Sequence, residues 1–127
     1  MPKGNTYKTA TLDTNLTGTK YLALFQTDPG AAGTGTEVAY SGYARQPITW
    51  GAAAINGSVG EKKNDTLIEF AAVPSSDGLI AAYAAIMTSG GTSGGSVVYY
   101  GALGANYPLI MGVKPTVPIG SLTVTKS

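Results

Sequence analysis

The segment Tyr21–Trp50 reads Y-L-A-L-F-Q-T-D-P-G-A-A-G-T-G-T-E-V-A-Y-S-G-Y-A-R-Q-P-I-T-W, and its pattern decides the fold class. It begins with Tyr21–Phe25, an apolar run of strand length. Asp28-Pro29-Gly30 then predicts a turn, because proline presets φ and glycine accepts positive φ. A second run opens at Gly42 and ends at Trp50. Two strands separated by a turn-rich loop are typical of a β-sandwich.

The second run predicts a strand over Tyr43–Ala53. Its even-numbered residues include Ile48 and Trp50, so that set is the better candidate for the core-facing side. Pro47 donates no ladder hydrogen bond, which places this strand at a sheet edge or a bulge. Glu37–Tyr40, just before it, fits either a short strand or an extended link.

Two blocks of the chain resemble a family of small phage virion proteins, described as tail-fibre or minor structural proteins. The first block carries G-Y-A-R-Q at residues 42–46 within Tyr21–Gly51. The second joins Ala84–Met87, through a glycine-rich gap, to V-V-Y-Y-G-A-L at residues 97–103. The resemblance extends to Val124 and implies a virion structural protein.

The chain departs from that family in two places. Family members often begin with an apolar helix, whereas the segment before Tyr21 shows only weak alternation at Tyr7, Ala10 and Leu12. They also tend to carry Trp and His where this chain has Leu79-Ile80-Ala81-Ala82. We interpret residues 1–20 as an extended N-terminal arm, with a flexible tail as the alternative, and residues 21–127 as the sandwich domain.

The remaining turn signals divide the second half of the chain into short runs. Asn56-Gly57 predicts a type I′ hairpin turn, in which both residues take positive φ. The charge-dense segment Glu61–Asp65 predicts an exposed loop. Thr66–Val73 predicts a strand that buries Ile68 and Phe70, followed by a turn at residues 74–78, Pro74-Ser75-Ser76-Asp77-Gly78.

Leu79–Thr88 contains five alanines, so it could be a helix by propensity. The flanking Gly/Ser turns and the family resemblance favour a buried strand instead. Ser89–Ser96 predicts a flexible, solvated loop, and three further strands are expected within residues 97–103, 107–113 and 117–125. The whole pattern predicts an all-β, single-domain antiparallel β-sandwich, jelly-roll-like in topology.

Composition limits the function. Only 12% of residues are charged and the net charge is +1, so the basic stripe that nucleic-acid binding requires is absent. A surface this poor in charge favours association. No run approaches the roughly 18 apolar residues of a membrane span. The N-terminus lacks the apolar core of a signal peptide, which predicts assembly in the host cytoplasm.

Histidine and cysteine are both absent. Nucleophilic catalysis by Ser-His or Cys-His pairs and thiolate metal sites are therefore excluded. The seven carboxylates form no motif for hydrolysis or for calcium binding. We predict that the chain is not an enzyme and carries no cofactor and no metal.

Arg45 is the only arginine and is the strongest candidate for a structural anchor. It could pair with Glu37, with Glu69 or with a neighbouring subunit, because a guanidinium suits bidentate contacts with carboxylates. The alternative is a surface residue stacked on Tyr43. The chain also has eight tyrosines, a residue type common at interfaces and sugar-binding surfaces, although ordinary packing explains most of them. The anchor or interface candidates are Arg45, Tyr43, Trp50, Tyr99, Tyr100 and Tyr107.

These observations predict a virion protein located on the capsid surface or the tail. We expect a capsid decoration, or cement, protein that forms a homodimer or homotrimer and binds the major capsid protein. The alternative is a tail-fibre-associated or receptor-binding module that contacts tail proteins. An unrelated soluble β-domain or carbohydrate-binding module is the third hypothesis.

Overall fold

The structure is a computed structural model that describes residues 4–75 and 78–126. Strands form three antiparallel sheets, ordered β2-β1-β6-β7, β3-β4-β9 and β5-β8. The elements are α1 (Asn5–Asn15), β1 (Lys20–Phe25), β2 (Gln46–Ile48), β3 (Ala54–Asn56), β4 (Val59–Lys63), β5 (Ile68–Glu69), β6 (Ile80–Met87), β7 (Val97–Pro108), β8 (Thr116–Val117) and β9 (Thr123–Lys126).

This architecture confirms the all-β antiparallel sandwich. The main core holds residues from every layer, including Leu22 of β1, Ile68 of β5 and Val124 of β9. Sheets of four, three and two strands do not by themselves make a jelly roll, which stays a prediction.

Strand β1 is buried on both faces because its alternate residues serve two clusters. Leu22 and Leu24 pack into the main core, whereas Ala23 and Phe25 join a smaller cluster on the other side of the sheet. The neighbouring strand β6 also alternates between the two clusters, since Ile86 packs in the main core and Met87 in the smaller cluster. The run at residues 79–88 is therefore a strand rather than a helix, as favoured.

The expected core face of the Tyr43–Ala53 run is wrong in its first half. Tyr43 and Arg45 are each 5% exposed, and the buried set changes to include Ile48 further along. The cause is a change of partner: Arg45 bridges Gly91, whereas β2 pairs with β1. β2 is an edge strand with Pro47 exposed, as the proline predicts.

The hairpin after β3 is confirmed, but its turn type is not. Asn56 pairs with Val59, so the loop residues are Gly57 and Ser58. Gly57 has a φ of 65°, and no non-glycine residue in the described part of the chain has positive φ. Positive φ at the first loop residue alone is the type II′ pattern rather than type I′.

The charge-dense segment Glu61–Asp65 is not the exposed loop that we expected. Most of it belongs to β4, which lies between β3 and β9 and is hydrogen-bonded on both sides. Its charges are accommodated at the surface: Lys62 pairs with Asp13 at 2.7 Å, and Lys63 with Glu61 at 3.4 Å.

Two other predictions concern the middle of the chain. Ile68 and Phe70 are buried as expected, although β5 is much shorter than the predicted strand. The predicted turn at residues 74–78 includes Ser76 and Asp77, which lie outside the described residues.

The extended N-terminal arm is wrong, because residues 5–15 form helix α1. Its buried stripe is Lys8, Leu12 and Leu16, spaced four residues apart, and both leucines belong to the main core. The pattern is hard to recognise because a lysine occupies the first position. The Lys8 stem is buried while its ammonium donates to the Ser58 carbonyl.

Helix α1 packs on the three-stranded sheet at Gly60. A Cβ added at Gly60 would lie 3.0 Å from the Lys8 Cβ and 3.3 Å from the Lys8 carbonyl carbon. The glycine therefore allows the helix backbone to approach β4 closely.

We predict that Gly60→Ala destabilises the protein by about 1–3 kcal/mol, because the methyl group overpacks the contact between helix and sheet. Denaturant unfolding measures the change. Gly104→Ala is the matched control, since nothing lies within 4 Å of a Cβ added there. The control should stay within about 0.5 kcal/mol of the parent, and an equal loss in both variants would contradict the packing argument.

Candidate functional site

A buried polar cluster of Glu37, Tyr43 and Arg45, here called the Arg45 cluster, lies where β1, β2 and the β6–β7 loop meet. Glu37 is placed by backbone pairing with β1, through its bridge to Phe25 and the bond from Val38 N to Leu24 O at 2.8 Å. Tyr43 and Arg45 lie on the segment that leads into β2. Tyr43 and Arg45, six and eight residues after Glu37 in sequence, therefore meet at its carboxylate.

The Arg45 guanidinium donates two hydrogen bonds to the Glu37 carboxylate. Nη2 donates to Oε1 at 2.8 Å and Nε donates to Oε2 at 2.9 Å. The side chains of Arg45 and Glu37 are 3% and 15% exposed, so this pair is largely withdrawn from water. Of the two carboxylates considered for Arg45, Glu37 is its partner, whereas Glu69 pairs with Lys114 at 3.7 Å.

Tyr43 donates a further hydrogen bond to the Glu37 carboxylate. Its hydroxyl donates to Glu37 Oε2 at 2.7 Å and accepts from Leu24 N at 3.2 Å. Burial, followed by the hydrogen bond to Glu37, raises the pKa of the Tyr43 hydroxyl. The hydrogen bond to Glu37 also raises the pKa of Arg45. Both effects favour a charged ion pair beside a neutral phenol.

The Tyr43 ring connects the polar cluster to the main core. It stacks on Phe70, with ring centroids 6.0 Å apart and planes inclined by 3°. Tyr40 meets Tyr43 edge-on at 5.6 Å and donates to the Ala71 carbonyl at 2.7 Å. The cluster is thus held from the apolar side as well as the polar side.

The remaining donors of Arg45 shape the glycine-rich loop between β6 and β7. Nη1 donates to the Ser89 carbonyl at 2.9 Å and to the Gly94 carbonyl at 2.7 Å. The Arg45 backbone N donates to the Gly91 carbonyl at 2.8 Å. The expected flexible loop is therefore a tethered one, because a single residue satisfies three of its carbonyls.

Gly95 allows the tethered loop to close. Its φ is 75°, and an added Cβ would lie 2.6 Å from the Ser89 Cβ. Beyond it, Ser96 pairs with Thr88 through both its carbonyl and its backbone N–H. Glycine at position 95 thus allows the two ends of the loop to approach each other closely.

The other candidate side chains lie apart from the Arg45 cluster. Tyr99, Tyr100 and Tyr107 are on β7, at the opposite edge of the sheet from β2. Tyr99 packs against the core and accepts a hydrogen bond from Asn15 Nδ2 at 2.9 Å, whereas Tyr100 is 49% exposed. This is the alternation expected of neighbouring strand residues.

Tyr107 and Trp50 are each half-buried against the main core. The Trp50 Nε1 is buried and has no hydrogen-bond partner among the described residues. Trp50 therefore contributes chiefly through its apolar ring.

A groove opens between β7 and the segment 115–125, and we call it the β7–β9 groove; its larger cavity has a mixed polar and apolar lining, and its smaller cavity is mainly apolar. It consists of two adjoining cavities of about 390 and 210 Å³, which share Leu103 and Ser121 in their walls. Leu22, Ile86 and Val124 line the larger cavity and are each at most 5% exposed. Among residues 4–75 and 78–126, no charged residue lines either cavity.

Sequence reasoning missed Asn64, which is 2% exposed and organises one wall of this groove. Its Nδ2 donates to the carbonyls of Thr66 and Pro118, and its Oδ1 accepts from Leu122 N at 3.0 Å. The residue follows a charged run, and nothing in its sequence context distinguishes it from a surface asparagine.

Within residues 4–75 and 78–126, no group of acidic side chains could hold a metal ion. In the same part of the chain, the 11-residue helix α1 is too short and too polar to cross a bilayer.

The protein-family model described as Podophage GP4 fiber I protein gp80 matches residues 5–125 of the chain. The match confirms the resemblance to small phage virion proteins, and with it the predicted location in the virion. No curated protein matches the chain.

Replacing Arg45 should lower the stability of the fold and increase the mobility of the loop between β6 and β7. We predict that Arg45→Lys costs about 2–4 kcal/mol, because one ammonium cannot reproduce a bidentate pair and two carbonyl contacts. Hydrogen exchange of residues 89–96 should accelerate with it. The control is Lys114→Gln in the exposed pair with Glu69, which should cost less than about 0.5 kcal/mol. Arg45→Lys with parental stability and exchange would contradict the anchor.

The protonation of Tyr43 gives a prediction at alkaline pH. Its folded-state pKa is raised, so the stability it contributes is complete below the unfolded-state pKa and is lost as the pH rises above that value. That unfolded-state pKa is about 10, and the slope from one group is at most about 1.4 kcal/mol per pH unit. Denaturant melts between about pH 9.5 and pH 11 should therefore show a flatter decline for Tyr43→Phe than for the parent.

Tyr100→Phe is the control for this titration, because its ring is on the exposed edge strand. It should keep the parental decline. A Tyr43→Phe variant that also declines as steeply as the parent would show that Tyr43 ionises equally in both states.

Proposed function

The chain belongs to the family described as Podophage GP4 fiber I protein gp80, and we propose that it forms part of a fibre on a podophage virion. The observation that carries this proposal is the extent of the match, which covers residues 5–125 of 127. Membership makes the chain a phage structural protein associated with other virion proteins; the fibre assignment is the proposed step.

The role proposed for the Arg45 cluster is mechanical. Nε, Nη1 and Nη2 of Arg45 all donate to acceptors within the fold, and Glu37 receives both the ion pair and the Tyr43 hydroxyl. A cluster satisfied in this way holds a shape rather than performing a reaction. This supports a non-enzymatic building block whose surface is rigid enough to assemble.

Self-association into a dimer or trimer is part of the proposal. The low charge supports it, because a surface with 12% charged residues offers little repulsion between copies. The interface cannot be a free N-terminal arm, since Leu12 and Leu16 of that segment are buried in the core. The exposed side of β7, with Tyr100, is the better candidate.

A capsid decoration role is the second candidate. A single sandwich of low charge also fits a decoration protein held on a shell by several weak contacts, which bind strongly together. The major capsid protein would then be the partner, whereas the fibre role requires other tail or fibre proteins.

Imaging of labelled virions separates the two roles. We expect gold-labelled antibody against this chain to decorate fibres, and virions that lack the protein to lose those fibres while keeping intact heads. Label spread over the capsid lattice, together with heads that open more readily on heating, would replace the fibre role with the decoration role.

A further inference from the structure

A turn that follows β7 presents apolar side chains to solvent, and we call residues 109–113 the apolar turn. Ile110, Met111 and Val113 are 52%, 63% and 42% exposed. Large apolar residues grouped in this way mark interaction sites more often than isolated ones do.

The apolar turn is a fixed projection. Val113 N donates to the Ile110 carbonyl at 3.0 Å, and Gly112 N donates to the Val73 carbonyl at 2.8 Å. Leu109 is 3% exposed and anchors the base of the turn in the main core. The backbone of the turn is therefore fixed, and the exposed side chains project from an ordered segment.

The β7–β9 groove has the matching chemistry. Its smaller cavity is lined mainly by apolar side chains, its larger cavity adds the uncharged hydroxyls of the 121–125 segment, and its floor is formed by buried residues such as Leu22 and Ile86. The apolar turn likewise contains no charge, so insertion of one into the other would remove no ion from water.

The groove is not filled by the turn of its own chain. Residues 109–113 line neither cavity, and backbone hydrogen bonds with Val73 fix the turn where it is. A second copy is then the simplest source of a matching projection.

Simple edge-to-edge pairing of two β7 strands is a poorer fit. Ala81 pairs with Tyr107 but Tyr83 pairs with Ala102, so four β7 residues face the single residue Ala82. A bulge of this kind breaks the straight edge that a second strand needs. The side-chain groove beside the bulge remains open.

We propose that the apolar turn of one copy inserts into the β7–β9 groove of the next copy. The two surfaces differ, so the contact is heterologous and repeats around a ring or along a filament. The inference rests on the proposed function, because a fibre protein needs a contact that propagates from copy to copy.

Cysteine cross-linking tests the contact directly, since the native chain has no cysteine. The variants are Ile110→Cys, Ala102→Cys in the groove wall, and the double variant, each oxidised at low concentration. The proposal predicts multimers on a non-reducing gel for the double variant alone. Disulfide dimers of the Ile110→Cys variant would show that the turns of two copies contact each other. Disulfide dimers of the Ala102→Cys variant would show that two β7 edges contact each other. Either result overturns the proposal.

Sedimentation equilibrium gives an independent measurement. Ile110→Asp should lower the association constant at least about tenfold, equivalent to 1.4 kcal/mol. Leu67→Asp is the control, because Leu67 is 53% exposed and lies outside both the turn and the groove. Equal effects of the two variants, or a parent chain that stays monomeric at high concentration, would overturn the proposal.

The two proposals fail separately. Label on the capsid lattice together with cross-linked multimers would remove the fibre role and leave the contact standing. Label on fibres, with no cross-link in the double variant, would remove this contact alone.

Discussion

The ion pair between Arg45 and Glu37 is the constraint on which the surrounding structure depends. A buried ion pair loses hydration, and it persists only when hydrogen bonds satisfy the charges that water no longer reaches. Here the guanidinium donates to both Glu37 oxygens and to the carbonyls of Ser89 and Gly94, while Tyr43 donates to Glu37. The loop carbonyls accept the hydrogen bonds of Arg45 that Glu37 does not accept, and these hydrogen bonds in turn hold the loop in place. The ion pair and the loop therefore depend on each other.

This dependence extends from the Arg45 cluster to the β7–β9 groove and the apolar turn. The tethered loop connects β6 to β7 and sets the position at which β7 begins, where Val97 pairs with Met87. From that start, β7 runs along the sheet edge, bulges at residues 103–106 and forms one wall of the β7–β9 groove. The apolar turn follows directly. A polar anchor at one side of the sheet thereby fixes the loop from which β7, the groove wall and the apolar turn follow along the chain.

Local patterns in the sequence were sufficient to predict much of the fold. Alternation placed Ile68 and Phe70 in the core, and Pro47 correctly indicated an edge strand. Prediction failed where a contact distant in sequence decided the outcome. The β6–β7 loop looked flexible because its donor, Arg45, is 44 residues from Ser89. Helix α1 looked extended because Lys8 stands in its buried stripe.

The candidate site was only partly predictable for the same reason. A single arginine is easily noticed, and Glu37 was one of two carboxylates considered for it, but the capture of three loop carbonyls depends on tertiary geometry. The β7–β9 groove depends on a bulge and on the separation of two sheets. Neither leaves a pattern in the local sequence.

A double-mutant cycle on Glu37→Gln and Arg45→Met tests the central claim most directly. Denaturant unfolding of the parent, both single variants and the double variant gives the coupling energy between the two side chains. The interdependence described here predicts a coupling of about 2 kcal/mol or more, accompanied by faster hydrogen exchange at residues 89–96 in both single variants. Effects that add to within about 0.5 kcal/mol would contradict it.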